Sequence, residues 1–280
     1  MPLQAAEPEP GSPPETRDAS TAAERFAITL QAPAELQAFL AAGDSPIVFT
    51  PGTGHRHAAG YFAAALAAVQ ALSQSARVLV LTGTGRGFCS GQDLQDAMAL
   101  GQLDLGRILA EEYEPLLNAI YDCPIPTIAA VNGAAVGAGA NLALAADVVI
   151  ATESASFVQA FTRIGLIPDA GGSYWLPRQI GMARSMGAML LGDRISAREA
   201  AQWGMIYEAV ADDGFAERVR ARAVQLATGP GLAYRGVKEM LRASFGNDLD
   251  AQLALEARLQ GACGQTQDFR EGVAAFLEKR

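Results

Sequence analysis

Along the chain, short apolar runs alternate with stretches in which apolar residues recur at helical spacing. Phe26–Leu30 and Ile47–Thr50 read as short strands, and Pro33–Ala42 between them has helical spacing. Gly54–Gly60, with His55 and His57, reads as a turn, and the Ala-rich Tyr61–Leu72 is helical in period. Arg77–Leu81 alternates little and is rich in Val and Leu, the pattern of a strand buried on both faces. A loop over Thr82–Leu94 leads into a helical stretch that ends near Asp122, where Pro124 and Pro126 stop it. Thr127–Val131 is a second buried strand, followed by a turn at Asn132–Gly139, a small-residue helix over Asn141–Ala146 and a third strand over Asp147–Ala151. Strands and helices joined by turns of few residues predict an α/β fold with a largely parallel sheet.

After Gly181 nearly everything is helical in period, with breaks at Gly204, Gly229–Gly231 and Gly246, and no internal repeat is present. Met1–Glu24 carries Glu7, Glu9, Glu15 and several prolines without an apolar stretch, so it is expected to be a disordered tail rather than a secretory signal. The expected organisation is a tail over 1–24, a core over 25–210 and a helical region over 211–280 that covers the core or another subunit.

Composition narrows the function classes. Half of the 280 residues are hydrophobic, enough for one large core. A net charge of −9 repels phosphate backbones, which argues against nucleic acid as a partner. Cys89, Cys123 and Cys263 fit neither a zinc site nor a redox pair and read as reduced thiols of a cytoplasmic protein. The apolar runs are strand-length, short of the ~20 residues a membrane span needs. His55 and His57 have no third ligand nearby, so no metal is expected.

Three segments carry candidate chemistry. Phe88-Cys89-Ser90-Gly91-Gln92-Asp93-Leu94 follows a buried strand, and a turn free of bulky side chains can aim backbone N–H groups at a ligand oxygen. An ordinary strand-to-helix loop is the competing reading. Asn132–Asn141 joins a strand to a helix whose N-terminus would favour an anion. Nucleotide binding fits poorly there: the dinucleotide fingerprint would need glycine at Leu142, and no Gly-Lys-Ser/Thr is present. Close packing of a small-residue helix is the alternative. In Phe161–Gly172, Asp169 lies between Pro168 and Ala170-Gly171-Gly172. It reads either as a turn residue or as a carboxyl whose apolar neighbours raise its pKa and make it a proton shuttle.

Taken together, Val78–Leu94, Ile128–Ala151 and Phe157–Gly181 resemble the crotonase (enoyl-CoA hydratase/isomerase) superfamily. The resemblance implies a spiral of ββα units with a C-terminal helical trimerisation region, an acyl-CoA thioester substrate, and a homotrimer or dimer of trimers. CoA is then part of the substrate and no separate cofactor is implied. Carried over by position, the Gln92 and Ala138 N–H groups would hold the thioester enolate. Ser90, Gly91 and Asp93 would flank the CoA pantetheine and adenosine, Ala58 would meet the adenine through its backbone, and Leu94, Gly137, Asn141 and Phe161 would complete the substrate-binding set. Lys238, from the C-terminal part, is a further candidate for a CoA phosphate.

The two glutamates of hydratases match Asn141 and Phe161, and Asp169 stands where hydratases usually carry glycine. The run through Asp169, with Gly204-Met205-Ile206 and Arg270-Glu271-Gly272-Val273, resembles the ring-1,2-epoxyphenylacetyl-CoA isomerase branch. The expected function is therefore isomerisation of an acyl-CoA, with a hydratase and a non-catalytic acyl-CoA-binding subunit as alternatives.

Overall fold

The computed structural model describes residues 47–49, 58–91 and 104–280. Phe26–Leu30, Pro33–Ala42, His55 and His57 lie outside them. β1 (Ile47–Phe49) precedes α1 (Ala58–Ser75), which starts inside the segment expected to be a turn. β2 (Leu79–Thr82) and β3 (Gly87–Cys89) follow, then a helical run made of α2 (Leu105–Ile108), a π-helical turn (Leu109–Tyr113) and α3 (Glu114–Tyr121). Next come β4 (Thr127–Val131), β5 (Ala134–Val136), α4 (Ala138–Leu144), β6 (Val148–Thr152), β7 (Ser156–Val158) and a 3-10 turn (Ala160–Ile164). The remainder is α5 (Gly172–Leu191), β8 (Arg194–Ser196), α6 (Ala197–Trp203), β9 (Glu208–Val210), α7 (Phe215–Thr228), α8 (Gly231–Ala243), α9 (Leu249–Cys263) and α10 (Gln267–Glu278).

From β2 to β7 successive strands are dealt alternately to two sheets. One has the order β1-β2-β4-β6-β9 and is parallel throughout; the other has the order β3-β5-β7-β8 and is parallel except at β7/β8. This alternation, with helices between turns, is the ββα spiral. It corrects two expectations. The loop Thr82–Leu94 contains β3, and the turn Asn132–Gly139 contains β5, so that α4 starts at Ala138 rather than Asn141. Likewise β8 and β9 interrupt the segment expected to be helical after Gly181.

The large sheet is buried on both faces, as its continuous apolar strands require. Leu79, Leu81, Ala129, Val131, Val149 and Ala151 point into the main core. Their neighbours Val78, Val80, Ile128, Ala130 and Ile150 point the other way, against Val219, Ala223 and Leu226 of α7. The period of two along each strand thus builds two apolar layers from one sheet.

A partly buried charge cluster fastens α8 to this sheet. Asp147 Oδ2 accepts from the backbone N–H and the hydroxyl of Thr127, and from Lys238 Nζ. Lys238 also donates to the Ile125 carbonyl at 2.9 Å, and Arg242 reaches Asp147 at 3.2 Å. Lys238 is therefore committed to the fold and does not present its ammonium to a CoA phosphate. Burial holds its pKa below the ordinary lysine value, although Asp147 works the other way. Lys238→Met should destabilise the protein by about 1–2 kcal/mol in urea titration, because it removes a charge-assisted hydrogen bond from Asp147 and leaves the carboxylate to Thr127 and Arg242. The affinity of the folded variant for a CoA ester should stay unchanged; weaker binding with stability retained would contradict this role.

Candidate active site

The site is assembled where the two glycine-rich turns touch. At Gly139 a Cβ would lie 2.3 Å from the Cys89 carbonyl oxygen, so only glycine permits this approach of the two backbones. Gly91 lies against the same turn, its Cβ position 3.1 Å from Val136 O and 3.5 Å from Ala138 N. Gly137 enters α4 with φ of +55°, and its N–H is taken by Val158 O at 2.8 Å. The N–H groups of Ala138 and Gly139 are the first of the helix and have no acceptor within it, whereas those of Ala140 and Asn141 already donate to the Gly137 carbonyl. Ser90 is exposed beside this junction. Gln92, Asp93 and Leu94 lie outside the described residues, and Ala58 opens α1.

Asn141 and Phe161 are the positions that the resemblance matches to the hydratase glutamates. Asn141 is fully buried. Its Nδ2 donates to the Asp169 carbonyl at 2.8 Å, and its Oδ1 accepts from Gln159 Nε2 at 2.8 Å. Phe161 is buried with its ring 3.7 Å from the Cβ position of Gly137. Neither residue lines the adjacent cavity.

Asp169 does line it. The cavity has a volume of about 700 Å³ and is bounded chiefly by Leu109, Leu117, Ile167, Tyr113, Tyr174 and Trp175 around Asp169. Asp169 Oδ1 is buried without a hydrogen-bond partner among the described residues. Desolvation pushes its pKa up to about 6, only partly opposed by its own backbone N–H. Tyr113 faces the same cavity, and burial, reinforced by the nearby Cys89, Asp169 and Glu112, pushes its hydroxyl well above the ordinary tyrosine value. Asp169 is thus a carboxyl that gains or loses a proton near neutrality, within an apolar cavity and one hydrogen bond away from α4. Such a group suits general acid–base chemistry.

Asp169 and both turns are legible in the sequence pattern, and Ala138 enters through the family resemblance. Tyr113, Trp175 and Gln159 are not legible there. A π-helical turn, often found at functional sites, places Tyr113, and no spacing in the sequence announces it. Among the described residues no group of three potential metal ligands occurs, and no helix is long and apolar enough to cross a membrane.

Comparison with known proteins places the chain in a family. Residues 61–280 match the family model described as enoyl-CoA hydratase/isomerase. A Rhodobacter capsulatus protein named "Probable enoyl-CoA hydratase" is 64% identical over 214 residues, 76% of this chain and 83% of that one. The 1,2-epoxyphenylacetyl-CoA isomerase of Escherichia coli is 48% identical over 207 residues, 73% of this chain and 79% of that one. The crystal structure of an enoyl-CoA hydratase from Bacillus anthracis superposes with a TM-score of 0.75 at 31% identity, covering 84% of this chain and 94% of that one. The chain belongs to the enoyl-CoA hydratase/isomerase family, whose members have the crotonase fold and act on acyl-CoA thioesters.

The raised pKa of Asp169 has a consequence for stability. The folded protein favours the neutral carboxyl, so burial begins to penalise folding as pH rises above about 4, and the full penalty applies above about 6. Asp169→Asn should raise stability at pH 8 by about 1–2 kcal/mol, allowing for screening at a half-buried site, and change it little at pH 4. Thermal melts at both pH values check this; an equal difference at the two would contradict the desolvated carboxyl.

Proposed function

We propose that the protein is an acyl-CoA isomerase in which one carboxyl, Asp169, carries a proton between two carbons of the acyl group. The observation behind this reading is the buried, unpartnered Oδ1 of Asp169 in an apolar cavity next to the Ala138 helix start. The N–H groups of Gln92 and Ala138 polarise the thioester carbonyl and hold the negative charge that develops on its oxygen. A preorganised donor of this kind contributes about 3–4 kcal/mol to the transition state. The Asp169 carboxylate removes a proton from the acyl group, and the C–H electron pair passes into the conjugated enolate. The protonated Asp169 then returns the proton to a different carbon. The double bond has moved, and no atom is gained or lost.

CoA enters as part of the substrate, so the reaction calls for no separate cofactor. The aromatic wall of Tyr113, Tyr121, Tyr174 and Trp175 supports a ring-bearing or long unsaturated acyl group. Exposed Phe245, Leu249, Phe276 and Leu277 on and between the C-terminal helices support a homotrimer or dimer of trimers. A cytoplasmic location follows from the thiol content and the CoA substrate.

A hydratase is the second reading. It draws on the name of the Rhodobacter capsulatus relative and on Glu114, which lines the cavity with Asp169 and offers a second carboxyl. Against it, the positions of the hydratase glutamates hold an engaged amide and a phenyl ring. Product analysis separates the two: a 3-enoyl-CoA should give the 2-enoyl isomer, with no 3-hydroxyacyl-CoA formed.

Asp169→Asn should lower the isomerisation rate about 100- to 10,000-fold, the usual contribution of a positioned acid–base group. Its affinity for a non-reactive acyl-CoA should remain within about twofold, since the substituted amide keeps the shape of the carboxyl. For the wild type, kcat/KM should fall below a pH of about 6, where the carboxyl of the free enzyme becomes protonated. Wild-type turnover by the Asn variant, or a flat profile down to pH 5, would overturn the shuttle.

A further inference from the structure

We propose that Asn141 is a positioning residue: its carboxamide ties the helix that starts at Ala138 to the backbone of Asp169, and so sets where the carboxyl meets the acyl group. The inference rests on the isomerase reading above and names a residue on which that chemistry depends without touching the substrate.

The Asp169 carbonyl oxygen accepts two hydrogen bonds, one from Gly172 N–H at 2.9 Å and one from Asn141 Nδ2 at 2.8 Å. The residue between these anchors is strained. Ala170 has φ of +48°, in the left-handed region where the Cβ of a non-glycine residue crowds the following carbonyl oxygen. Strain of this kind persists only where the surroundings over-determine the backbone. Two donors on one carbonyl provide that constraint, and they act one residue before the strained one.

The direction of the amide is also set. Gln159, itself 1% exposed, donates to Asn141 Oδ1 and leaves Nδ2 to face Asp169. The space is set by Gly172, where a Cβ would lie 2.5 Å from Asn141 Nδ2, 2.8 Å from its Cγ and 2.9 Å from its Oδ1. Any side chain at position 172 would push the amide off the carbonyl. A carboxylate at position 141 has no N–H to donate and would set its charge against the Asp169 carbonyl. The place that holds an acid in hydratases here holds the donor that aims the acid at Asp169.

Kinetics of three variants test this against a 3-enoyl-CoA, with rates normalised to folded enzyme. Asn141→Asp keeps the shape and removes the donor. It should lower kcat about 10- to 100-fold, as expected for a carboxyl displaced by a fraction of an ångström to one ångström. KM should stay within about twofold, and the acidic limb of the pH–rate profile should move upward, because a nearby negative charge disfavours ionisation of Asp169.

Gly172→Ala leaves Asn141 in place but displaces its amide. It should give the same loss in kcat without moving the pH limb, and it supplies the test if the Asp variant does not fold. A structural role alone would lower the folded fraction and leave the normalised kcat and the pH limb unmoved. Wild-type normalised kcat in the folded variants, or a loss that falls on KM, would overturn the positioning role. Asp169→Asn is measured alongside. If it turns over at the wild-type rate, the isomerase reading itself has failed; if it alone is inactive, only the role of Asn141 has.

Discussion

The approach of Gly139 to the Cys89 carbonyl is the constraint from which the site follows. With any side chain at 139 the two turns separate, because a Cβ would sit 2.3 Å from that oxygen. Their contact brings the end of β3, the start of α4 and, through Asn141, the backbone of Asp169 into one locality. Each of the three segments comes from a different turn of the spiral. The strands that lead into them, β3, β5 and β7, are neighbours in the smaller sheet, and their Phe88, Ala135 and Phe157 are packed in the main core, which leaves little freedom to shift.

That rigid frame holds a group that folding alone would not favour. Asp169 is desolvated, one of its oxygens has no partner among the described residues, and the next residue is strained. A protein selected for stability alone would hydrate or pair this carboxyl. The conflict between local preference and overall fold is concentrated at the chemistry, where proteins commonly trade stability for function. Asp147, by contrast, is met by Thr127, Lys238 and Arg242.

What could be read from the sequence tracks the length and burial of each element. The Leu79–Thr82 and Thr127–Val131 strands announce themselves as continuous apolar runs because both faces are covered. The β3, β5 and β7 strands have three residues each, two of them inside glycine-rich segments, too short for a period of two to register. Helical spacing over 182–280 was broadly right, but it hid β8 and β9, which pair with distant strands β7 and β6. Asp169 was legible from its setting of Pro, Gly and apolar neighbours, and became specific only through the order of three motifs. Tyr113, Trp175 and Gln159 were not legible, since their place at the site comes from packing between segments far apart in sequence. Lys238 misleads for the same reason: a basic residue on a C-terminal helix looks free until its partner Asp147, distant in sequence, is seen.

The most direct test of a single-carboxyl shuttle follows the proton itself. A 3-enoyl-CoA deuterated at C2 is converted in ordinary water, and the product is examined by mass spectrometry and NMR for deuterium at C4. If Asp169 takes and returns the same proton inside an apolar cavity, a measurable fraction of the label should reappear at C4. Complete loss of the label to solvent in the first turnover would contradict transfer by one sheltered carboxyl.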